Sequence, residues 1–309
     1  MTNETEAIHT PVLLAEVMAA LDPRPGGIYV DATLGLGGHS DEILRRSSPH
    51  GQVIAFDWDE EALRRAEERL LPFAGRLTLI RRNFAEITEA LTGLAVAPVD
   101  GILVDAGMSS LQVDRGGRGF SFQRDEPLDM RMDNRRGQTA AALLATASEE
   151  ELADMFFYYG EEKQARRIAR AIVEVRMKSP LRTSRELAEL VAGAIPRRFH
   201  PPKIHVATKV WQALRIAVNS ELENLARLLA DAPALLNQGG RLAVISFHSL
   251  EDGLVKRAFR TGHDLSEETK HPICAGDDEI ARNPRARSAK LRVAEKTDKR
   301  GKGHEKLSV

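Results

Sequence analysis

Three carboxylates, Asp31, Asp57 and Asp105, each close a short apolar run: Ile28-Tyr29-Val30, Val53-Ile54-Ala55-Phe56 and Ile102-Leu103-Val104. Parallel α/β sheets bind ligands outside the C-terminal ends of their strands, so acids at three such ends point to one shared pocket. The first acid opens Asp31-Ala32-Thr33-Leu34-Gly35-Leu36-Gly37-Gly38-His39, which leads into a helical stretch from Ser40 to Arg46. A strand, a turn with three glycines and a helix start is how such a sheet cradles a nucleotide-type ligand. Glycine permits positive φ and lets the backbone approach a ligand with no Cβ in the way.

Two kinds of cofactor use a turn of this type, and two details separate them. A dinucleotide fingerprint needs a third glycine for close helix packing, and here Ser40 stands at that position. A carboxylate at the strand end repels a pyrophosphate and suits the ammonium and sulfonium of S-adenosylmethionine. The turn therefore favours a methyl donor over NAD. Asp57, about 20 residues further on, is placed to grip a ribose diol, and Asp59 is available to cap the next helix in its stead. Phe84 follows the strand Leu77 to Ile80 and is either a platform for the adenine or a core residue of the following helix.

The elements that must position these groups alternate as an α/β sheet does. A helix over Pro11 to Leu21 precedes strand 1, and an amphipathic helix from Asp59 to Leu71 follows strand 2. Asp100 to Asp105 is nearly all apolar, as a parallel strand covered on both faces should be. The alternation then stops. From Leu111 to about His205 the spacing is helical, with capping boxes at Ser148-Glu151 and Thr183-Glu186 and prolines at 180, 196, 201 and 202. One long helix is expected from about Val206 to Leu229. Gly239-Gly240 turns into a fifth strand, Arg241 to Phe247, Ser249 caps the next helix, and Ser288 to Ala294 is a last strand. This divides the chain into a first core part (1–111), a helical insertion (112–205), a second core part (206–294) and a basic disordered tail (295–309).

At 309 residues the chain is long enough for a full core and an inserted domain. Its single cysteine, Cys274, excludes an internal disulfide and a cysteine metal cluster, so no metal centre is expected and a reducing cytoplasm fits. No apolar run reaches the roughly 20 residues of a membrane span. The formal net charge of −1 hides a segregation. Glu161 to Arg215 holds thirteen Lys/Arg against five Asp/Glu, and Glu279 to Val309 ten against four. Such basic segments suit a polyanion, since phosphate neutralisation drives nucleic-acid affinity.

Longer strings carry a family resemblance. The pocket turn Asp31 to His39, Asp105-Ala106-Gly107-Met108-Ser109-Ser110-Leu111-Gln112, Arg118-Gly119-Phe120-Ser121-Phe122 and Pro127-Leu128-Asp129-Met130-Arg131-Met132 resemble the RsmH (MraW) family. So do Tyr159-Gly160-Glu161-Glu162, Gln212-Ala213-Leu214-Arg215-Ile216-Ala217-Val218-Asn219-Ser220-Glu221-Leu222 and Ser246-Phe247-His248-Ser249-Leu250-Glu251-Asp252. The match runs from about His9 to Lys296. Alanine at 106 and methionine at 108 depart from the apolar branched residues common there.

The resemblance implies an α/β, class I (Rossmann-like) S-adenosylmethionine-dependent methyltransferase with an inserted helical domain. Its implied reaction is N4-methylation of a cytidine in the decoding region of 16S rRNA, with the small ribosomal subunit as partner and the insertion as the RNA-recognition domain. It implies cofactor contacts at Gly37, Gly38, His39, Asp57, Phe84, Asp105 and Gln112. Asp105 is the candidate to accept the cytosine amine proton, with Ser109 and His248 behind it. Phe247 and the aromatics at 120–122 either stack on the base or fill the core. Cytosine C5 chemistry is disfavoured because it needs a thiolate in the pocket. Two other readings stand beside this one: a nicotinamide oxidoreductase, and a non-catalytic RNA-binding assembly factor with a vestigial pocket. The sequence does not decide between a monomer and a homodimer.

Overall fold

The computed structural model describes residues 11–107, 116–262 and 264–297. The chain forms two compact units, Met1–Gly107 with Leu222–Val309, and Met108–Glu221. The second is wider at both ends than the insertion expected over 112–205.

The first unit is built on one sheet. Its strands are β1 (Ile28–Asp31), β2 (Gln52–Asp57), β3 (Leu77–Arg81), β4 (Val99–Asp105), β5 (Leu236–Ser246), β6 (Leu265–Glu267), β7 (Ile273–Cys274) and β8 (Lys290–Lys296). They lie in the order β3-β2-β1-β4-β5-β8-β6, with β7 also on β8. The first five are parallel, and β8 runs antiparallel to β5, β6 and β7. Strand order reverses at β1, which pairs with β2 on one side and β4 on the other, so a crevice opens there.

Alternation along each strand decides which face a side chain serves. Val30, Ile54, Phe56, Ile102 and Val104 join one buried cluster with residues of α4 (Ile87–Gly93) and the helices Glu221–Leu235 and Ser249–Thr261. Tyr29, Val53, Ala55 and Leu103 join the other, with α1 (Leu14–Leu21), α2 (Gly38–Arg46) and α3 (Glu60–Leu70). Both faces of the parallel region are therefore covered, which is why the strands read as continuous apolar runs.

Several expected elements change. The long helix over 206–229 is two helices, Thr208–Asn219 and Glu221–Leu235, broken at Ser220, whose φ of 50° is left-handed. The break falls where one compact unit gives way to the other. Apolar periodicity continues through it, so the pattern alone hides it. Strand β5 begins five residues early, at Leu236, and Gly239-Gly240 lies inside it. The register jumps from Val99↔Leu236 to Gly101↔Arg241, so the glycines form a bulge. The last strand lies two residues later than expected and takes in Glu295 and Lys296, residues assigned to the tail. Residues 298–309 lie outside the described residues. The short strands β6 and β7 have no periodicity to read.

Capping follows the sequence more closely. Both capping boxes form, at Ser148/Glu151 and Thr183/Glu186, and Asp59 caps α3 through the Glu61 N–H. The helix after β5 is capped by His248 instead of Ser249, with the Glu251 carboxylate closing the box. Next to it, Arg292 of β8, buried, pairs with Asp252 at 2.6 Å. Burial pushes the Asp252 carboxyl up, but the hydrogen bond and charge of Arg292 outweigh it and hold it below the ordinary value.

The second unit is helical among its described residues, with Ala140–Thr146, Glu149–Tyr158, Ala165–Arg176, Ser184–Ala194 and Thr208–Asn219. The last of these is its hub. Lys209 Nζ donates to the Glu161 carbonyl at 2.7 Å, Trp211 Nε1 to Gly119 at 3.0 Å and Gln212 Nε2 to Tyr159 at 2.9 Å. Asn219 Nδ2 donates to the Met130 carbonyl, and its Oδ1 accepts the Met132 N–H, both at 2.8 Å. One helix thus holds the backbones of the Arg118–Phe122, Pro127–Met132 and Tyr159–Glu162 strings. No described helix is long and apolar enough to cross a membrane.

Candidate active site

Four of the sequence-predicted residues meet at one edge of the sheet. β1, β2 and β4 end in Asp31, Asp57 and Asp105, and Phe84 stands three residues past the end of β3. Across the sheet the order is Phe84, Asp57, Asp31, Asp105, because the strand order is β3-β2-β1-β4.

Asp57 spends one lone pair of each oxygen on the backbone. Its Oδ2 accepts the Gly35 N–H and its Oδ1 the Asp59 N–H, both at 2.9 Å. A carboxylate offers about four acceptor sites, so two remain for a diol. Burial pushes the Asp57 carboxyl up to about 7, against the downward pull of those two hydrogen bonds. Such a group is poised for a ligand that supplies further donors.

Asp31 is deeper than a pocket-lining acid would be. It is 1% exposed, with Oδ1 accepting the Thr33 N–H at 3.1 Å and Oδ2 the Ser40 hydroxyl at 2.7 Å. Ser40 thus braces the strand end, a signal legible as a hydroxyl nine residues after an acid on a tight turn. Asp105 is only half-buried. Its N–H donates to Thr33 Oγ1 at 2.6 Å and its Oδ1 accepts the Gly107 N–H at 3.3 Å. Burial raises both carboxyls, and the nearby His39 opposes the rise.

The glycines divide their work in a way spacing did not reveal. Gly35, at φ 53°, has open space where a Cβ would stand, so this is the position where the backbone is bare to a ligand. At Gly37, the left-handed residue ahead of α2, a Cβ would lie 2.9 Å from Leu70 Cδ1. At Gly38 it would lie 2.3 Å from Pro11 Cγ. Those two glycines are required by packing of the chain on itself. The His39 ring is buried and its Nε2 donates to the Val12 carbonyl at 3.0 Å. Phe84 is half-buried against the core cluster of Phe56 and Ile54, so it is partly a core residue and partly open. Gln112 and Ser109 lie outside the described residues.

Sequence reasoning missed Thr33 and Glu251. Thr33 joins the ends of β1 and β4 through the Asp105 N–H. Glu251 is 2% exposed, and its Oε2 accepts the Phe247 N–H at 2.8 Å. The Phe247 ring in turn covers Gly107, where a Cβ would stand 2.6 Å from Cε2.

An edge with two partly open carboxylates, Asp57 and Asp105, a bare glycine turn and an aromatic beside it fits an adenosyl group carrying positive charge. Residues 6–297 match the model of the MraW methylase family. This chain belongs to that family. It is 58% identical over 293 residues to the ribosomal RNA small subunit methyltransferase H of Desulfotalea psychrophila, covering 95% of this chain and 99% of that protein. It is 52% identical over 295 residues to the protein of the same name from a Cyanothece species, covering 96% and 97%. As an MraW-family methylase it takes its methyl group from S-adenosylmethionine. The oxidoreductase reading falls with that membership.

Proposed function

We propose that this methylase transfers a methyl group from S-adenosylmethionine to the exocyclic N4 of a cytidine in the decoding region of 16S rRNA, with the small ribosomal subunit as its substrate. The rRNA assignment rests on the names of its relatives. The observation that carries the chemistry is Asp105, half-buried at the end of β4 with its backbone tied to Thr33.

S-adenosylmethionine, when bound, supplies a methyl group made electrophilic by its sulfonium. The chain's part is to hold and to orient. Asp57 takes the ribose hydroxyls on its remaining lone pairs, the open face of Phe84 meets the adenine, and the turn at Gly37, Gly38 and His39, with Gln112, contacts the donor. A cytosine amine is a weak nucleophile because its lone pair is delocalised into the ring. Asp105 accepts a hydrogen bond from that N–H and takes the proton once the N–C bond has formed, which favours the rehybridised transition state. Its upward-shifted carboxyl makes it the stronger proton acceptor once ionised. The unit Met108–Glu221, which carries the whole basic run from Glu161 to Arg215, serves as the RNA-recognition domain.

The test is a comparison of 16S rRNA from cells with and without this protein. Digestion and mass spectrometry should show one N4-methylcytidine, in a decoding-region fragment, that disappears with the protein. An unchanged nucleoside profile would reject the assignment.

A further inference from the structure

Within the Met108–Glu221 unit, one loop combines features that no other described segment of it has. No acidic residue occurs between Glu189 and Glu221, and in that interval stand Arg197, Arg198 and Lys203. All three are exposed. The side chains of Arg197 and Lys203 have no ion-pair or hydrogen-bond partner among the described residues. Between them Phe199 is 48% exposed and Ile204, just beyond, is 48% exposed. The Arg198 guanidinium lies over the Phe199 ring, 4.9 Å from its centroid.

The loop is held in shape from both ends. Arg197–Phe199 is a single 3₁₀ turn after Pro196, in which the Phe199 N–H reaches the Pro196 carbonyl at 2.8 Å. His200 donates Nε2–H to the Ile195 carbonyl at 2.9 Å. After Pro201 and Pro202, the His205 ring stacks on Phe122 at 4.6 Å, and Phe122 meets the edge of Trp211 at 5.3 Å. A large aromatic left half in solvent on a loop bonded at both ends, with Arg198 over its ring, Arg197 and Lys203 close to it in sequence and no acid in the flanking sequence, matches the chemistry of a polyanion with flat apolar faces. Phe157 and Tyr158 are exposed too, but Asp154, Glu161 and Glu162 stand close to them in the chain.

We propose that Phe199, with Arg198 across its ring, is a stacking platform for an unpaired base of the substrate RNA, while Arg197 and Lys203 take the flanking phosphates. The inference rests on the reading of this protein as an RNA methylase and deepens it, since it specifies a single-stranded segment. In a duplex the bases are already stacked on one another and offer no free face, so an exposed aromatic selects unpaired RNA. Charge contacts and stacking also leave different signatures. Each phosphate contact adds to the salt dependence of binding, whereas stacking adds affinity with no counterion release.

The experiment measures binding of a fluorescently labelled, unstructured oligoribonucleotide to the full chain across a series of salt concentrations, with a duplex of the same strand as control. Phe199→Ala should weaken single-strand binding by roughly 5- to 100-fold with the salt slope unchanged. Phe199→Trp should bind as wild type or tighter. Arg197→Ala with Lys203→Ala should flatten the slope by roughly 1 to 2. Wild-type affinity in Phe199→Ala, or full rescue by Phe199→Leu, would overturn the proposal, the latter by showing an apolar contact such as a protein partner in place of a base. If the wild-type enzyme methylates small-subunit RNA while Phe199→Ala binds normally, this inference fails alone. If the wild type neither binds nor methylates RNA, the functional reading fails with it.

Discussion

The Gly35 N–H donates to Asp57 Oδ2 at 2.9 Å, across 22 residues of sequence. This bond joins the turn after β1 to the end of β2, so the acid proposed to hold the ribose also shapes the loop whose backbone is bare at Gly35. Loss of Asp57 therefore acts on both. Asp57→Ala should reduce S-adenosylmethionine affinity by about 1–3 kcal/mol, the range for a charged hydrogen-bond partner. Isothermal titration calorimetry giving the wild-type affinity would dismiss the role.

The same carboxyl should give donor binding a pH dependence. Because burial pushes Asp57 up to about 7, a growing fraction is protonated below that pH and has fewer acceptors for hydroxyls. Donor affinity should fall by at most about tenfold per unit as pH drops from 7 towards 5. In Asp57→Ala that part of the profile should be flat. An equal slope in both proteins would assign the effect to another group.

Stability of the free protein should run the other way. A carboxyl whose folded pKa lies above its unfolded value of 3.8 binds its proton more tightly when native. Its ionisation costs stability as pH rises from about 4 to 7. Asp57→Asn loses one backbone acceptor at every pH but is freed of that cost. The melting temperature of Asp57→Asn minus that of wild type should therefore increase between pH 4 and 8. A pH-independent difference, by scanning calorimetry without donor, would contradict this account.

Much of this site was legible because its acids end apolar strands and its glycines punctuate the first turn. The covered faces of the parallel strands and the convergence of Asp31, Asp57 and Asp105 follow from periodicity and topology. The glycine roles did not follow, since the partners Leu70 and Pro11 come from other elements. Nor did the break at Ser220, where local pattern argues for a continuous helix. Ser220 is followed by Glu221, which pairs with Arg215 at 2.8 and 2.9 Å, both side chains largely buried. A bidentate pair six residues apart does not suit an unbroken helix, in which neighbours on one face stand three or four apart.

Asn219, beside that break, is predicted to be structural. It pairs with the backbone on both sides of Arg131, at the Met130 carbonyl and the Met132 N–H, and Met130 is buried at φ 58°. Asn219→Ala strands a buried carbonyl and a buried N–H, so urea denaturation should report a loss of about 1–3 kcal/mol. Donor affinity should stay at the wild-type value. Undiminished stability would mean that the 130–132 backbone finds other partners.

Gly107 gives a packing test close to the chemistry. A Cβ there would stand 2.6 Å from the Phe247 ring, so Gly107→Ala must displace an aromatic fixed through Glu251. The expected cost is about 1–3 kcal/mol of stability, as for overpacking elsewhere. Phe247→Leu in the same chain should recover part of it. Additive losses in the double variant would show that the two residues do not share the strain.

The most direct measurement is transfer of tritiated methyl from S-adenosylmethionine to small ribosomal subunits isolated from cells lacking this protein, followed by nucleoside analysis. The account predicts label in N4-methylcytidine of 16S rRNA with the wild-type chain, and a greatly reduced rate with Asp105→Asn. Label in another nucleoside, or none while calorimetry shows the donor bound, would contradict the assignment of the acceptor and leave only the cofactor pocket standing.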